Sequence, residues 1–144
     1  MNKSFSSKGG LITFIKTNFK VNKLDIFDNS DFFEAQFFEL EINDNEKIAI
    51  GNVWRSPYDY SSSVKNFIDE FKPLLNLLND KYSKIIISGD FNINLLSCDT
   101  NRYFNMFLDL MFTNSMIPSI TLPTRFDQNR KSATLIDNIF VKTK

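Results

Sequence analysis

The chain has 144 residues, 17 basic and 17 acidic side chains, one cysteine and no histidine. Its length suits one ordinary domain, and a composition with 42% hydrophobic and 24% charged residues is typical of a globular protein. Because histidine is absent, the chain cannot supply a Ser-His or Cys-His nucleophile pair, a histidine zinc ligand or a histidine general base. Any chemistry must therefore use carboxylates, amides, hydroxyls, lysine or a hard metal ion.

The cysteine count and the hydropathy pattern bear on the compartment. Cys98 has no second cysteine with which to form an intramolecular disulfide, which favours a reducing setting. No apolar run has the length of a membrane span, and residues 1–10 lack the apolar stretch of a secretory signal. We therefore predict a soluble intracellular protein of the nucleus or cytoplasm that does not bind membranes.

The charges are unevenly distributed along the chain. Residues 1–24 carry five lysines and no acid, residues 25–46 carry eight acids and no base, and residues 125–144 have a net charge of +3. Such blocks allow a local phosphate-binding face on a neutral protein. Oppositely charged solvated faces that pair with one another explain the pattern at least as well.

The N-terminal third reads as strands. Gly9-Gly10 is a turn signal, and the apolar run Leu11–Ile15 after it predicts a first strand. The runs 32–42 and 47–54 flank Asn43-Asp44-Asn45, which is typical turn chemistry. These two runs therefore predict a β-hairpin.

Two helices and a buried strand are predicted next. Serines 61–63 can cap a helix whose apolar residues follow at helical spacing, and Pro73 predicts that this helix is kinked or split. The apolar run Lys84–Ser88 is typical of a strand that is buried on both faces. A second helix is predicted from Thr100 to about Asn114. Its expected inward-facing residues are Phe104, Phe107, Leu108, Met111 and Phe112.

A final strand is predicted from Ala133 to Val141. Strands come first in the chain, and helices then alternate with buried strands. That order predicts an α/β or α+β sandwich.

The best candidate for chemistry follows the buried strand. Gly89 precedes Asp90 and Asn92, which would project to the same side at the carboxyl end of the strand if its alternation continues. Asp90 could then take a proton from water while Asn92 donates to an oxyanion. The alternative is that Gly-Asp-x-Asn is an Asx turn that closes the strand.

Two further segments carry candidate side chains. Asp137 interrupts the apolar run Thr134–Phe140, so it must face a polar site or a partner, or else lie exposed at a sheet edge. Trp54 and Arg55 end the second strand of the hairpin just before Ser56-Pro57. They could offer a stacking face and a forked phosphate donor, although a lone Trp at a strand end is more often part of the core or its rim.

Taken in order, these segments resemble the endonuclease/exonuclease/phosphatase superfamily, which has the DNase I-like fold. The resemblance is nearest to the apurinic-type endonuclease domain of non-LTR (LINE-type) retrotransposons. It rests on Lys8-Gly9-Gly10, on Trp54 to Pro57 where those domains have Tyr-Arg-Pro-Pro, on Gly89 to Asn92, and on Ala133 to Phe140. The resemblance implies a two-sheet sandwich flanked by helices, with residues 1–144 forming one partial domain.

The resemblance also implies an activity, namely Mg²⁺-assisted hydrolysis of a DNA phosphodiester. Asp90 would position or activate the attacking water, Asn92 would hold the phosphate, and Asp137 would orient the family's histidine. Trp54, Arg55 and Thr134 would bind substrate, with Trp54 at the position of the family's tyrosine. A reverse transcriptase domain would be a partner in the parent polyprotein.

The chain departs from the family's pattern in two places. The family's Asn strand and metal-binding Glu strand lie upstream of the Lys-Gly-Gly turn, and its closing Ser-Asp-His motif lies beyond the point that Lys144 reaches. Glu34 falls after that turn, so the metal-binding role is not transferred to it. We therefore expect a domain cut at both ends, with weak or no activity. The alternative is a non-catalytic nucleic-acid-binding pseudoenzyme or a fragment without a selected function.

Overall fold

The computed structural model describes residues 10–28, 30–57, 61–129 and 131–143. Within these ranges the chain forms eight strands, two α-helices and a short 3₁₀ helix over Leu95–Ser97. The elements are β1 (Lys20–Leu24), β2 (Phe33–Asn43), β3 (Glu46–Arg55), α1 (Ser61–Lys81), β4 (Lys84–Asp90), α2 (Arg102–Thr113), β5 (Ile117–Pro118), β6 (Arg125–Phe126), β7 (Ala133–Thr134) and β8 (Asp137–Thr143).

Six of these strands form one sheet in the order β1-β2-β3-β4-β8-β5. β3 and β4 are parallel and are connected through α1, whereas the other neighbours in the sheet are antiparallel. β6 and β7 form a separate two-stranded ribbon. The mixed α/β class is therefore confirmed. The second sheet that the sandwich requires is represented, in the described ranges, only by this ribbon.

The hydrophobic core lies between the helices and one face of the sheet. Alternate residues of the strands point to this face, and aromatic rings from strands and helices meet there: Phe33 contacts Phe67 and Phe71 of α1, and Phe140 contacts Phe107 of α2. All five rings are nearly or fully buried. Because burying one such side chain contributes about 1.5–3 kcal/mol, this aromatic layer holds both helices against the sheet.

The opposite face of the sheet changes in character along the strands. One cross-strand row is apolar and half-buried at most positions, and the next row towards the carboxyl end of β4 is polar. The apolar row is Phe38, Ile50, Ile86, Val141 and Ile117, with Lys23 at its β1 end, and the polar row is Gln36, Asn52 and Ser88, with Ile139 at its β8 end. The polar side chains of this face lie towards the carboxyl end of β4, so a polar site on this face is expected there.

Several predicted elements are confirmed. The hairpin is formed by β2 and β3, with the turn at Asp44 and Asn45, and α2 begins after Asn101, whose side chain accepts from the backbone N–H groups of Tyr103 and Phe104. β4 extends the predicted strand to Asp90. Ile86 is only half-buried, however, so the prediction that this strand is buried on both faces is wrong.

The first strand was predicted in the wrong place. Residues 11–16 are irregular, and the edge of β2 is instead paired by the more polar Lys20–Leu24. Gln36 holds the irregular segment by donating from Nε2 to the carbonyl oxygen of Leu11 at 3.4 Å, while Phe14 is 91% exposed. A strand at the edge of a sheet needs few apolar residues. Choosing the most hydrophobic run therefore placed the first strand at residues 11–15 instead of at 20–24. Of the predicted turn, Gly10 is described with a φ of 148°, and Lys8 and Gly9 lie outside the described residues.

Of the two outcomes predicted at Pro73, a split helix is wrong and a kink stays a prediction. α1 runs without interruption from Ser61 to Lys81, so it is not split. Phe71 on one side of Pro73 and Leu75 on the other are both buried in the same core. Tertiary packing on both sides keeps the two halves in one helix despite the cost of the proline.

Two further expectations were wrong in detail. The predicted strand 133–141 is broken into β7 and β8, because the backbone leaves the sheet at Leu135 and Ile136. There the N–H of Leu135 donates to the side chain of Asn94, and the carbonyl oxygen of Ile136 accepts from the N–H of Phe91. In α2, Phe112 is 51% exposed rather than inward-facing, and Leu110 is buried instead. No helix in the described ranges is both long and apolar enough to cross a membrane.

Candidate active site

One cross-strand row brings the candidate side chains together. Trp54 on β3 lies opposite Asp90 on β4, and Asp90 lies opposite Asp137 on β8. Register partners project to the same face of a sheet, so the two carboxylates are neighbours and the indole lies on the other side of Asp90. Glu34 on β2 continues the same row beyond Trp54. The predicted residues Trp54, Asp90 and Asp137 therefore share the face that points away from the helices.

Gly89 allows β4 to reach this position. Its Cα is the register partner of Val53 on β3, and a Cβ on Gly89 would lie 1.9 Å from the carbonyl oxygen of Val53. Such a contact is far inside van der Waals distance, so only glycine fits here. The glycine before Asp90 thus has a steric reason that is independent of any chemistry.

The turn after Asp90 is an Asx turn. The Oδ1 atom of Asp90 accepts from the backbone N–H of Asn92 at 3.0 Å, and Asn92 has a φ of 48°. The predicted alternative, in which Gly-Asp-x-Asn is an Asx turn that closes the strand, therefore describes the observed geometry. The strand ends at Asp90, so the strand alternation that was expected to carry Asn92 to the same side as Asp90 does not apply. Asn92 instead directs its Nδ2 to the carbonyl oxygen of Arg55 at 2.6 Å.

Arg55 has a different position from the predicted one. Its side chain is 1% exposed, and its Nε donates to the carbonyl oxygen of Phe91 at 2.7 Å while Nη2 donates to that of Asn92 at 2.8 Å. It points to the helix-covered side of the sheet, one residue after the outward-facing Trp54. The guanidinium therefore does not present a fork to a phosphate, and it binds the backbone of the turn instead.

The environment of Asp90 favours its protonated form. Partial burial raises the pKa of the Asp90 carboxyl above its ordinary value, and the negative charge of Asp137 raises it further. The hydrogen bond from the N–H of Asn92 and the positive charges of Arg125 and Arg55 act in the opposite direction. A half-buried carboxylate with a raised pKa is better suited to accept a proton than an ordinary surface aspartate.

The ribbon borders the site next to Asp137. The Oγ1 atom of Thr124 accepts from the backbone N–H of Asp137 at 3.3 Å, and the N–H of Thr124 donates to the carbonyl oxygen of Thr134 at 2.9 Å. Thr134 pairs with Arg125 in the ribbon and is half-buried. Thr134 therefore lies near the row and stays a predicted substrate-binding residue.

Solved structures with similar folds were found, although no protein-family model and no curated protein matches the chain. The endonuclease domain of TRAS1, a telomere-specific non-LTR retrotransposon, aligns with a TM-score of 0.65 and 12% identity over 88% of this chain. The human Nocturnin catalytic domain aligns with a TM-score of 0.54 and 14% identity over 90% of the chain. An endonuclease/exonuclease/phosphatase family protein from Bacteroides thetaiotaomicron gives 0.52 and 14% over 88%.

The chain has part of the DNase I-like fold that these three structures have. It spans 57% of the TRAS1 domain, 50% of the Nocturnin domain and 49% of the bacterial protein. At these identities the similarity establishes the fold, and the function must be argued from the site.

Three residues that bear on the site within this DNase I-like fold were missed as candidates. Asn94 accepts from the N–H of Leu135 at 2.9 Å and so ties the segment after Asp90 to the one before Asp137. Asn138, 2% exposed, donates to the carbonyl oxygen of Ile120 at 2.8 Å. Arg125 is exposed near Asp90. The only signals for the asparagines were that Asn138 directly follows Asp137 in an apolar run and that Asn94 lies four residues after Asp90. Arg125 was noted only as part of a basic terminus.

A divalent metal ion can be tested against the donors of this row. In the described ranges no cluster of three or more His, Cys, Asp or Glu side chains could hold a metal ion. The register places the carboxylates of Asp90 and Asp137 side by side. Because Mg²⁺ is commonly bound by one or two carboxylates, with waters and substrate phosphate completing its shell, this pair fits such an ion.

Proposed function

We propose that the chain is the endonuclease region of a retrotransposon-type protein that hydrolyses DNA phosphodiester bonds with the help of a divalent metal ion. The observation that carries the proposal is the row of Trp54, Asp90 and Asp137, with the Asx turn at one end of β4, in a DNase I-like fold. The similarity to the TRAS1 endonuclease domain supports the choice of DNA. A reverse transcriptase domain in the parent polyprotein is part of the same proposal.

The chain's own residues would act on water and phosphate. Asp90, whose pKa is raised by burial, would accept a proton from the attacking water. Asn92 carries two amide hydrogens, and one donates to the carbonyl oxygen of Arg55, so the other would donate to a phosphate oxygen. Trp54 would stack against a base or sugar next to the cleaved bond.

Asp137, beside Asp90, would hold Mg²⁺. When bound, the ion would offset negative charge on the phosphate and on the leaving oxygen. It would also screen the two carboxylates from each other, which relieves the like-charge contact between β4 and β8. The small number of metal donors among the residues that the structure describes is consistent with the weak activity that we expect.

Nicking of supercoiled plasmid tests the proposal. Wild-type protein with Mg²⁺ is expected to nick slowly, and EDTA is expected to stop it. Asp90→Ala should reduce the rate by about 100-fold or more, because general-base catalysis contributes on the order of 10²–10⁴-fold. Asp69→Asn is the matched control, since Asp69 is an exposed acid on α1 that pairs with Lys65 at 2.5 Å. Nicking that survives Asp90→Ala would contradict the role of Asp90.

A second candidate function is nucleic-acid binding without catalysis. It is favoured by the exposed basic residues Lys16, Lys20 and Lys23 near the first strand, and by the absence of a three-donor metal cluster in the ranges that the structure describes. Phosphate neutralisation makes such binding fall steeply as salt rises. Salt-dependent DNA binding with no nicking at any Mg²⁺ concentration would favour this function over the first.

A further inference from the structure

We propose that Arg55 is a positioning residue that holds the Asp90–Asn92 turn in the geometry the site needs. The proposal deepens the proposed function, since its kinetic consequences rest on the activity assigned to Asp90 and Asn92. Its structural consequences do not depend on that activity. The resemblance to known domains predicted a substrate-binding role, and the position of the guanidinium points to a different one.

The contacts between Arg55 and the turn are reciprocal. The guanidinium donates to the carbonyl oxygens of Phe91 and Asn92 at 2.7 and 2.8 Å, and the Nδ2 of Asn92 donates to the carbonyl oxygen of Arg55 at 2.6 Å. The backbone of β3 and the backbone of the turn are therefore joined by hydrogen bonds in both directions. Fixing the side chain and the main chain of Asn92 at once determines where its amide points.

The turn needs such support because its conformation is unfavourable by itself. Asn92 adopts a φ of 48°, in the left-handed region that non-glycine residues occupy at a cost, although asparagine tolerates it better than most. Residues held in such conformations persist when surrounding contacts over-determine them. The two carbonyl groups that Arg55 binds flank the Cα of Asn92, so the guanidinium stabilises the strained residue directly.

The fork of arginine suits this task better than lysine. Nε and Nη2 lie in one plane and reach two successive carbonyl oxygens, whereas an ammonium group is a single point of donation. A third nitrogen, Nη1, donates to the Oγ atom of Ser63 at 3.2 Å. Arg55 therefore connects three elements, namely the end of β3, the first turn of α1 and the turn after β4.

The position of Arg55 also matters electrostatically. It is 1% exposed and lies below the turn, and its charge lowers the pKa of Asp90 against the effects of burial and of Asp137. A lysine at this position would keep the charge and lose the fork. Arg55→Lys therefore separates the effect of geometry from the effect of charge.

The test compares Arg55→Lys with wild type and with Leu78→Ala. Leu78 is a buried residue of α1 near its carboxyl end, so the control loses core packing at a distance from the turn. The structural readout is the strong intraresidue HN–Hα NOE that a positive φ produces at Asn92. The kinetic readout is plasmid nicking at a temperature at which all three proteins are folded.

Arg55→Lys is expected to lose the NOE at Asn92 and to lower kcat/KM by about 10-fold or more, because a small displacement of a catalytic group is costly in rate. Leu78→Ala is expected to keep both. An Asn92 that retains its positive φ in Arg55→Lys would overturn the proposal. If wild type does not nick, the proposed function fails, while the NOE comparison still decides the role of Arg55.

A second variant covers the case in which Arg55→Lys does not fold. Glycine adopts positive φ without strain, so adding Asn92→Gly should restore folding if Arg55 acts by stabilising this turn. A double variant that still does not fold would overturn the proposal.

Discussion

Two acidic residues of the sheet have opposite environments. Glu39 on β2 has a side chain that is 7% exposed and is bound by Lys47 Nζ at 2.6 Å, by the Tyr82 hydroxyl at 2.6 Å and by Lys81 Nζ at 3.4 Å. Asp90 lies towards the other end of the sheet and has another acid, Asp137, as its cross-strand partner. The pKa of Glu39 is lowered to about 2, chiefly by its hydrogen bond to Lys47, whereas burial raises the pKa of Asp90.

The difference distinguishes an acid that stabilises the fold from one that does not. Every contact of Glu39 favours its charged form, and together these contacts join β2, β3 and α1. Asp90 is charged at a cost, because it is partly buried beside a like charge. A residue whose charge destabilises the folded state is a candidate for chemistry, since activity and stability often make opposite demands.

The largest expected effect comes from breaking the Asp90 end of the sheet. Gly89→Ala would place a Cβ 1.9 Å from the carbonyl oxygen of Val53, so β3 and β4 must separate. We expect a loss of about 3 kcal/mol or more in the free energy of unfolding, measured by urea denaturation. Ser88→Ala, one residue earlier, is the control and should cost far less. A Gly89→Ala protein as stable as wild type would contradict the close approach of these strands.

The next largest effect comes from removing the charge of Glu39, which lies towards the other end of the sheet. Glu39→Gln is expected to lower the free energy of unfolding by about 2 kcal/mol at neutral pH, because it weakens charged hydrogen bonds to Lys47 and Tyr82. Nicking by the folded protein should not change. Glu41→Gln is the control, since Glu41 on the same strand is more exposed and lies 3.7 Å from Lys47.

The sign of the pH dependence provides a check on Glu39. Its folded pKa of about 2 is below the ordinary value of 4.5, so its contribution to stability is present above pH 4.5 and is lost as pH falls towards 2. The stability difference between wild type and Glu39→Gln should shrink over this window. A difference that stays constant from pH 5 to about 2 would show that the charge of Glu39 is not what stabilises the fold.

The smallest expected effect is the change in the free energy of unfolding when Asp90 is replaced by asparagine. Asp90→Asn keeps an oxygen that can accept from the N–H of Asn92 and removes the charge beside Asp137. Stability at neutral pH should stay the same or rise by about 1 kcal/mol. Because the folded pKa of Asp90 is raised, the wild type should recover this difference as pH falls through that pKa. A clear loss of stability in Asp90→Asn would make Asp90 a structural acid like Glu39.

Local patterns in the sequence predicted the hairpin, both helices and the position of Asp90, because each depends on residues close together in the chain. The placement of Asp137 beside Asp90 depends on the register between β4 and β8, which no local pattern encodes. The burial of Arg55 did have a signal. It continues the alternation of Ala49, Gly51 and Val53, all of which face the helices, but a charged residue at a strand end was interpreted as exposed.

The Leu11–Ile15 segment shows the limit of hydrophobicity as a guide. Its residues include Ile12 at 73% exposure, while the strand that pairs with β2 includes Lys20, which forms an ion pair with Glu41 at 3.3 Å. Cross-strand charge pairing at a sheet edge was therefore a better indicator of the strand than apolar content.

The most direct test of the distinction between these two acids is a carboxyl-carbon NMR titration of the folded wild-type protein. The carboxyl-carbon chemical shifts of Glu39 and Asp90 are measured in the same spectra, so each residue is an internal reference for the other. We predict that Glu39 titrates with a pKa of about 2 and that Asp90 titrates above the ordinary aspartate value. An Asp90 that titrates at or below that ordinary value would contradict the assignment of Asp90 as the proton acceptor of the site.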